Sequence, residues 1–380
     1  MSATGEVRPV PLPGAMTHAP LTPALVVRGP DALPALIPHL VGFHPESSLV
    51  LLGLAPERRT VQVTIRMDLP HRGAAVGDVV EAWRRSLAAL PRCGALEAIL
   101  AVYPGADEDP WRDGRVRDLP FRDLVDEVVA ELADAGLHAL DAVCLVGDRL
   151  RSYWCRDTAC CPVGGRAVDA DEVLRVRSAL VVRGSAPLGS RRDLVAALAE
   201  RDPHDPVRAA VDAARDAVTI GLPAGTEPRV QRVVDDLRAY AADARDAATL
   251  TSLVVLVGVL CASIRSRDLL LRALTVDPDP DVVAAARTVL GEAVRCTSGV
   301  AVAPTAAALA VCGWVAGDGA AARVAVERAL AADPSYSLAS LVAAALDTGA
   351  PPWTWVAMMG EISVAAILGA DDVEDLGAGA

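Results

Sequence analysis

The feature that most constrains this chain is a change in hydrophobic period near residue 169. From residue 48 to about 155, strand-like runs alternate with runs of helical apolar spacing. Beyond residue 169 only helical spacing remains. A two-residue period places side chains alternately on the two faces of a sheet, whereas a 3.6-residue period lines one face of a helix. The change therefore predicts an α/β layer followed by an all-α region. SLVLLGL (48–54) and TVQVTIRMD (60–68) read as strands, and the short APERR between them predicts an antiparallel hairpin. GDVVEAWRRSLAAL (77–90) reads as a helix, ALEAILAVY (95–103) as a strand, and FRDLVDEVVAELADAG (121–136) as a helix closed by glycine. LDAVCLVGDRLRSYWC (140–155) alternates about Gly147-Asp148 and predicts a second hairpin. Strand–helix–strand connections within one sheet are parallel and right-handed. The second, third and fourth strands should then share a direction, with the first and fifth reversed, giving a mixed sheet with a parallel centre and antiparallel edge strands.

The predicted division is a flexible lead-in at 1–32, an α/β domain at 33–168, a helical domain at 169–369 and an acidic flexible tail at 370–380. A chain of 380 residues suits two domains. Helical runs are expected at 171–182, 191–200, 206–218, 228–247, 250–274 and 280–296, punctuated by DPHDP (202–206) and DPDPD (277–281). DPDPD lacks the glycine and terminal glutamate of a calcium loop and reads as a helix start. The most apolar run, 250–264, is short for a bilayer span of roughly 20 residues and is followed at once by Arg265 and Arg267, so a buried helix is expected. The uncharged stretch 298–317, interrupted by Pro304, is expected to form a packed helix pair. Residues 305–346 resemble a tetratricopeptide helix pair, with Gly317 and Gly319 at the turn. Gly317-Asp318-Gly319 follows a helix, so a dinucleotide fingerprint is set aside.

Composition removes several chemistries. The sequence has no lysine and no asparagine, so all 36 basic residues are arginine. A P-loop lysine, a Schiff-base lysine and an Asn-X-Ser/Thr glycosylation site are all excluded. A net charge of −13 argues against nucleic acid and anionic membranes as partners, because neutralising phosphate needs a basic face. Arg112, Arg115 and Arg117 are interleaved with Asp113 and Asp118, which reads as a solvated mixed-charge surface. The first twenty residues carry prolines and Glu6 where a secretory signal needs an unbroken apolar core, so a cytoplasmic setting is expected. There the eight cysteines would stay reduced, with Cys144, Cys261 and Cys312 as buried fillers.

Five stretches together resemble the bacterial proteins catalogued as domain of unknown function 4192. They are GFHPESSLVLLGL from Gly42, RMDLP from Arg66, YWCRDTACCP from Tyr153, SRDLL from Ser266 and the helical block 305–346, covering the chain from about Pro34 to Pro352. The resemblance implies one shared architecture and brings no activity with it.

Two places stand out as candidate sites. Antiparallel pairing across APERR brings His44, Ser47 and Ser48, with Glu46, towards Arg66 and Asp68. The carboxyl ends of the next parallel strands, at Tyr103 and at Asp148, should fall along the same edge, where open α/β sheets bind ligands. These groups are expected to line one polar concavity for a small polar ligand; the structural alternative is a buried Arg66–Asp68 pair without a cavity. The second place is RSYWCRDTACCPVGG, with Cys155, Cys160 and Cys161. A thiolate zinc site usually takes four protein ligands, and no histidine lies nearby. The expectation is a structural corner with buried cysteines at the opposite edge of the sheet, with metal and thiol reactivity as weaker alternatives and no cofactor. The leading functional reading is a non-catalytic binding or regulatory protein with a protein partner on its helical region. The rival is a hydrolase or transferase acting at the carboxyl edge of the sheet.

Overall fold

The computed structural model describes residues 29–71, 73–112, 118–182, 185–220, 224–243 and 247–369. The expected lead-in up to residue 28, the acidic tail and the arginine-rich 113–117 lie outside the described residues. A 3-10 turn at Pro30–Ala32 leads into α1 (Leu33–Val41). Then come β1 (Ser48–Leu54), β2 (Val61–Asp68), α2 (Val76–Leu87), β3 (Glu97–Tyr103), α3 (Arg122–Asp134), β4 (His138–Val146), β5 (Arg149–Ser152) and β6 (Arg166–Ala167). The six strands form one sheet in the order β2-β1-β3-β4-β5-β6.

Strand directions follow the sequence expectation. β1 is antiparallel to β2 and to β3, β3 and β4 are parallel, and β5 is antiparallel to β4. The position of β1 does not follow it. The expectation placed the first strand at an edge, but β1 is inserted between β2 and β3 and is buried along its whole length. A strand with neighbours on both sides and covered on both faces is apolar at every position, which is the pattern of SLVLLGL. Gly53 marks the tightest point: a Cβ there would lie 2.7 Å from Val63 Cγ1 and 2.9 Å from Ala95. The far edge is the two-residue β6, which pairs with β5 and has no counterpart in the sequence reading.

α2 and α3 cover one face of the sheet, burying Leu49, Leu51, Leu100, Leu124, Val128 and Leu132 between them. The other face packs Ile37 and Val41 of α1 against Val50, Leu52, Val143 and Leu145. Ala320 and Leu194, from the helical region, also reach this face.

The helical region runs from α4 (Ala170–Val182) through α5 (Arg191–Ala196), α6 (Pro206–Ile220), α7 (Thr226–Ala242), α8 (Ala247–Cys261), α9 (Ile264–Thr275), α10 (Pro280–Arg295), α11 (Val302–Val315), α12 (Gly319–Ala332), α13 (Ser337–Asp347), α14 (Trp353–Glu361) and α15 (Val364–Leu368). The run expected as one helix at 250–274 is broken into α8 and α9, bent by 120°. Leu253, Val254, Leu256, Val257 and Leu260 of α8 are buried in the helical core. Among the described residues no single helix is long and apolar enough to cross a membrane. The stretch 298–317 is not a helix pair. It is a 3-10 turn at Gly299–Ala301 followed by α11 alone, because Pro304 falls in the first turn, where a missing N–H breaks no intrahelical bond. DPDPD starts α10, with the Asp279 side chain accepting from the Asp281 backbone at 3.0 Å. α11 and α12 fold back on each other where Gly313 lets the Ala322 backbone approach and Gly317, at φ 79°, makes the turn. The two halves meet where Ser86 Oγ donates to the Asp347 carbonyl at 2.6 Å and Cys93 Sγ to the Gly349 carbonyl at 3.3 Å.

Candidate functional site

At the carboxyl edge, the β1–β2 register sets Ser48 opposite Asp68 and Val50 opposite Arg66, and Ser48 is also the β3 partner of Tyr103. Ser48 is fully buried; its hydroxyl donates to the Glu46 carbonyl at 2.6 Å and accepts from Arg66 Nε at 2.8 Å. Arg66 also donates to Asp68 Oδ1 at 2.5 Å, and its guanidinium lies 5.9 Å from the centroid of Phe43. Ser47 is held at φ 42°, with its carbonyl accepting from Leu69 N at 2.8 Å. His44 is exposed on the adjoining loop, where its N–H donates to the Leu188 carbonyl at 3.1 Å.

The structure thus brings Ser48, Arg66 and Asp68 into one hydrogen-bonded chain with Ser47 beside it. Tyr103 points into the α1 face of the core. Its hydroxyl is buried without a partner among the described residues, and burial pushes its ionisation far above the usual tyrosine range. Asp148 stands apart, exposed in the β4–β5 turn. The Arg66–Asp68 pair is not buried: the side chains are 18% and 81% exposed. A depression of about 490 Å³ adjoins Asp68, but it runs along Leu69, His71 and Asp78 towards Val79 and Trp83 of α2, and neither Ser48 nor Arg66 lines it. The chain of polar groups is a clasp that spends its donors on itself.

The cysteine corner is built differently. β5 ends at Ser152, whose hydroxyl donates to Asp141 Oδ1 at 2.7 Å and accepts the N–H groups of Trp154 and Cys155 at 3.1 and 3.2 Å. Asp157 shapes the next turn: its side chain accepts from Ala159 N at 2.9 Å and its carbonyl from Cys161 N at 2.7 Å. The chain then returns at Gly165, φ 69°, where a Cβ would lie 2.7 Å from the Trp111 ring. This loop closes against the start of α3. Arg122 donates to the Tyr153 carbonyl at 3.1 Å and lies over the Tyr153 ring at 5.6 Å, and Tyr153 in turn donates to the Pro120 carbonyl at 2.7 Å.

Between them lies a cavity of about 490 Å³ whose wall includes Arg122, Arg151, Arg156, Trp154, Cys155 and Cys161, and no carboxylate. Arg151 donates from one terminal nitrogen to the Val163 carbonyl at 3.2 Å, while its Nε is buried with no partner among the described residues. The sulfur atoms of Cys155, Cys160 and Cys161 lie within 4.8 Å of one another. Cys161 is buried, Cys155 half-buried and Cys160 exposed, so the expected burial holds for Cys161 alone. Burial raises the Cys161 thiol. Cys144, Cys261 and Cys312 sit deep in the cores, where burial pushes their thiols up to about 12 and leaves them packing groups.

The sequence reading found the thiols and missed the arginines. Arg151 precedes the cysteine motif and Arg156 lies within it, directly after Cys155; Arg122 comes from α3 and shows no local signal.

The family model described as a domain of unknown function (DUF4192) matches residues 30–353, which include both the sheet and the cysteine corner. No curated protein and no solved structure matches the chain.

Proposed function

We propose, from the premise that the chain belongs to the family described as domain of unknown function 4192, that it is a non-catalytic binding or regulatory protein of the cytoplasm. The α/β half takes a small anionic ligand in the cavity beside Cys155. The helical half, with the tetratricopeptide-like pair at 305–346, meets a protein partner. One observation carries the ligand reading: three guanidinium groups and no carboxylate line a single cavity of about 490 Å³. That volume suits a small molecule, and planar guanidinium forks recognise carboxylate or phosphate oxygens through paired hydrogen bonds. A hydrolase or transferase at the carboxyl edge is disfavoured because Ser48 is fully buried and hydrogen-bonded on both sides.

The test is thermal denaturation of the metal-free full-length chain with phosphate, sulfate and a small dicarboxylate, followed by calorimetric titration of whichever stabilises. A ligand present at about 100 times its dissociation constant adds about 2.7 kcal/mol to the folded state. Arg156→Ala and Arg151→Ala should each weaken binding at least tenfold, since each removes charge-assisted hydrogen bonds of about 1.5–3 kcal/mol. Absence of stabilisation by all three anions, or unchanged affinity in both variants, would remove the reading.

A further inference from the structure

Three sulfur atoms converging on one point are unusual for thiols that only fill space, and here two of the three are not buried. Cys155, Cys160 and Cys161 keep their Sγ atoms within 4.8 Å of one another although they come from opposite ends of a seven-residue turn. The backbone that presents them is tied down independently of the sulfurs, by Ser152 Oγ at Cys155 N and by the Asp157 carbonyl at Cys161 N.

We propose that these three thiols are a binding site for a thiophilic cation of the zinc(II) type, with three thiolates from the chain and the fourth position open to the arginine-lined cavity. Tetrahedral zinc with bonds of about 2.3 Å separates its sulfurs by about 3.8 Å. The cluster therefore needs to close by no more than about 1 Å, and exposed Cys160, on the turn, is the residue free to supply that movement. Soft thiolates select such a cation over magnesium or calcium. On binding, each thiol releases its proton to solvent, and three thiolates with one divalent cation leave a net charge of −1. Arg122, Arg151 and Arg156 on the cavity wall offset that charge, and Arg166 lies close enough to Cys160 and Cys161 to feel theirs. The missing fourth protein ligand, which the motif spacing counted against a metal, becomes the open position of a three-ligand site. Cys155 and Cys161 form part of the cavity wall, so a water or an anion held by the arginines can complete the coordination. The metal site stands or falls separately from the anion reading.

The experiment uses the full-length chain, reduced and stripped of metal by a chelator. It is titrated with zinc against a chromophoric competitor and with cobalt(II) as a spectroscopic probe. The expected result is one cation per chain and a thiolate-to-cobalt charge-transfer band. Cys155→Ser and Cys161→Ser should each lose at least the 10- to 100-fold in affinity that even an outer-shell partner is worth, while Cys93→Ser keeps the wild-type affinity. Zinc should also slow alkylation of Cys155, Cys160 and Cys161 in the wild-type chain and leave Cys93 unaffected, a readout that needs no variant to fold. Alkylation unchanged by excess zinc, or a charge-transfer band of undiminished intensity and affinity in a folded Cys161→Ser variant, overturns the proposal.

Discussion

Replacing Ser48 by alanine should cost this protein more stability than replacing Asp68, although Asp68 carries the charge. The Ser48 hydroxyl is fully buried and makes two hydrogen bonds, one to the Glu46 carbonyl at 2.6 Å and one from Arg66 Nε at 2.8 Å. A neutral bond contributes about 0.5–1.5 kcal/mol and one to a charged group about 1.5–3 kcal/mol. The Arg66 side chain is 18% exposed, so water recovers only part of what its Nε loses. The expected cost of Ser48→Ala is about 2–3 kcal/mol. Asp68 is 81% exposed, and an ion pair of that kind contributes at most about 1 kcal/mol. Urea unfolding followed by circular dichroism reads the difference: with a slope of about 2 kcal/mol per molar, Ser48→Ala should lower the midpoint by about 1 M and Asp68→Ala by under half of that. If Asp68→Ala proved the more damaging, or Ser48→Ala left the midpoint unchanged, the clasp would not be what holds the first hairpin to its loop. Loss of ligand binding in a stable Asp68→Ala protein would return the carboxyl edge to candidacy as a site.

Two further outcomes follow from other parts of the molecule. Asp31 is held below its ordinary carboxylate range, first by hydrogen bonds from Arg166 at 2.5 and 2.9 Å, which tie the 3-10 turn at Pro30–Ala32 to the β6 edge. A depressed carboxylate stabilises the fold fully above its unfolded value of about 3.9, and the contribution disappears as pH falls through the lower folded value. Wild type should therefore exceed Asp31→Asn in melting temperature at neutral pH, with the gap closing below about pH 4; a gap constant down to pH 2 contradicts the linkage. In α8, Val257→Asp exchanges roughly 1.5–3 kcal/mol of apolar burial for a buried carboxyl group and should unfold the helical core, seen as loss of the cooperative melt. A soluble variant with unchanged melting would show that α8 is not central.

Much of the fold was legible because its rules are local. Period-2 and period-3.6 patterning placed β1 to β5, α2 and α3, and the handedness of strand–helix–strand units set their directions, since both follow from backbone chirality and side-chain geometry. The Ser48–Arg66–Asp68 clasp was legible for the same reason: a five-residue connection leaves little choice of register. The neighbours of β1 were not legible. Its unbroken apolar run says that both faces are covered, but hydrogen bonding between strands is blind to side-chain identity, and only packing against α1 on one side and α2 and α3 on the other decides that β3 sits beside it. The bend between α8 and α9 is likewise decided by burial, because 250–274 keeps helical spacing through the break. The cysteine corner divides in the same way. C-x4-C-C announces three thiols, and their spacing alone argued against a metal. Their convergence and their arginine-lined surroundings depend on a loop turning back at Gly165 against Trp111 and on α3 bringing Arg122 across from a distant part of the chain, contacts between segments that no sequence window contains.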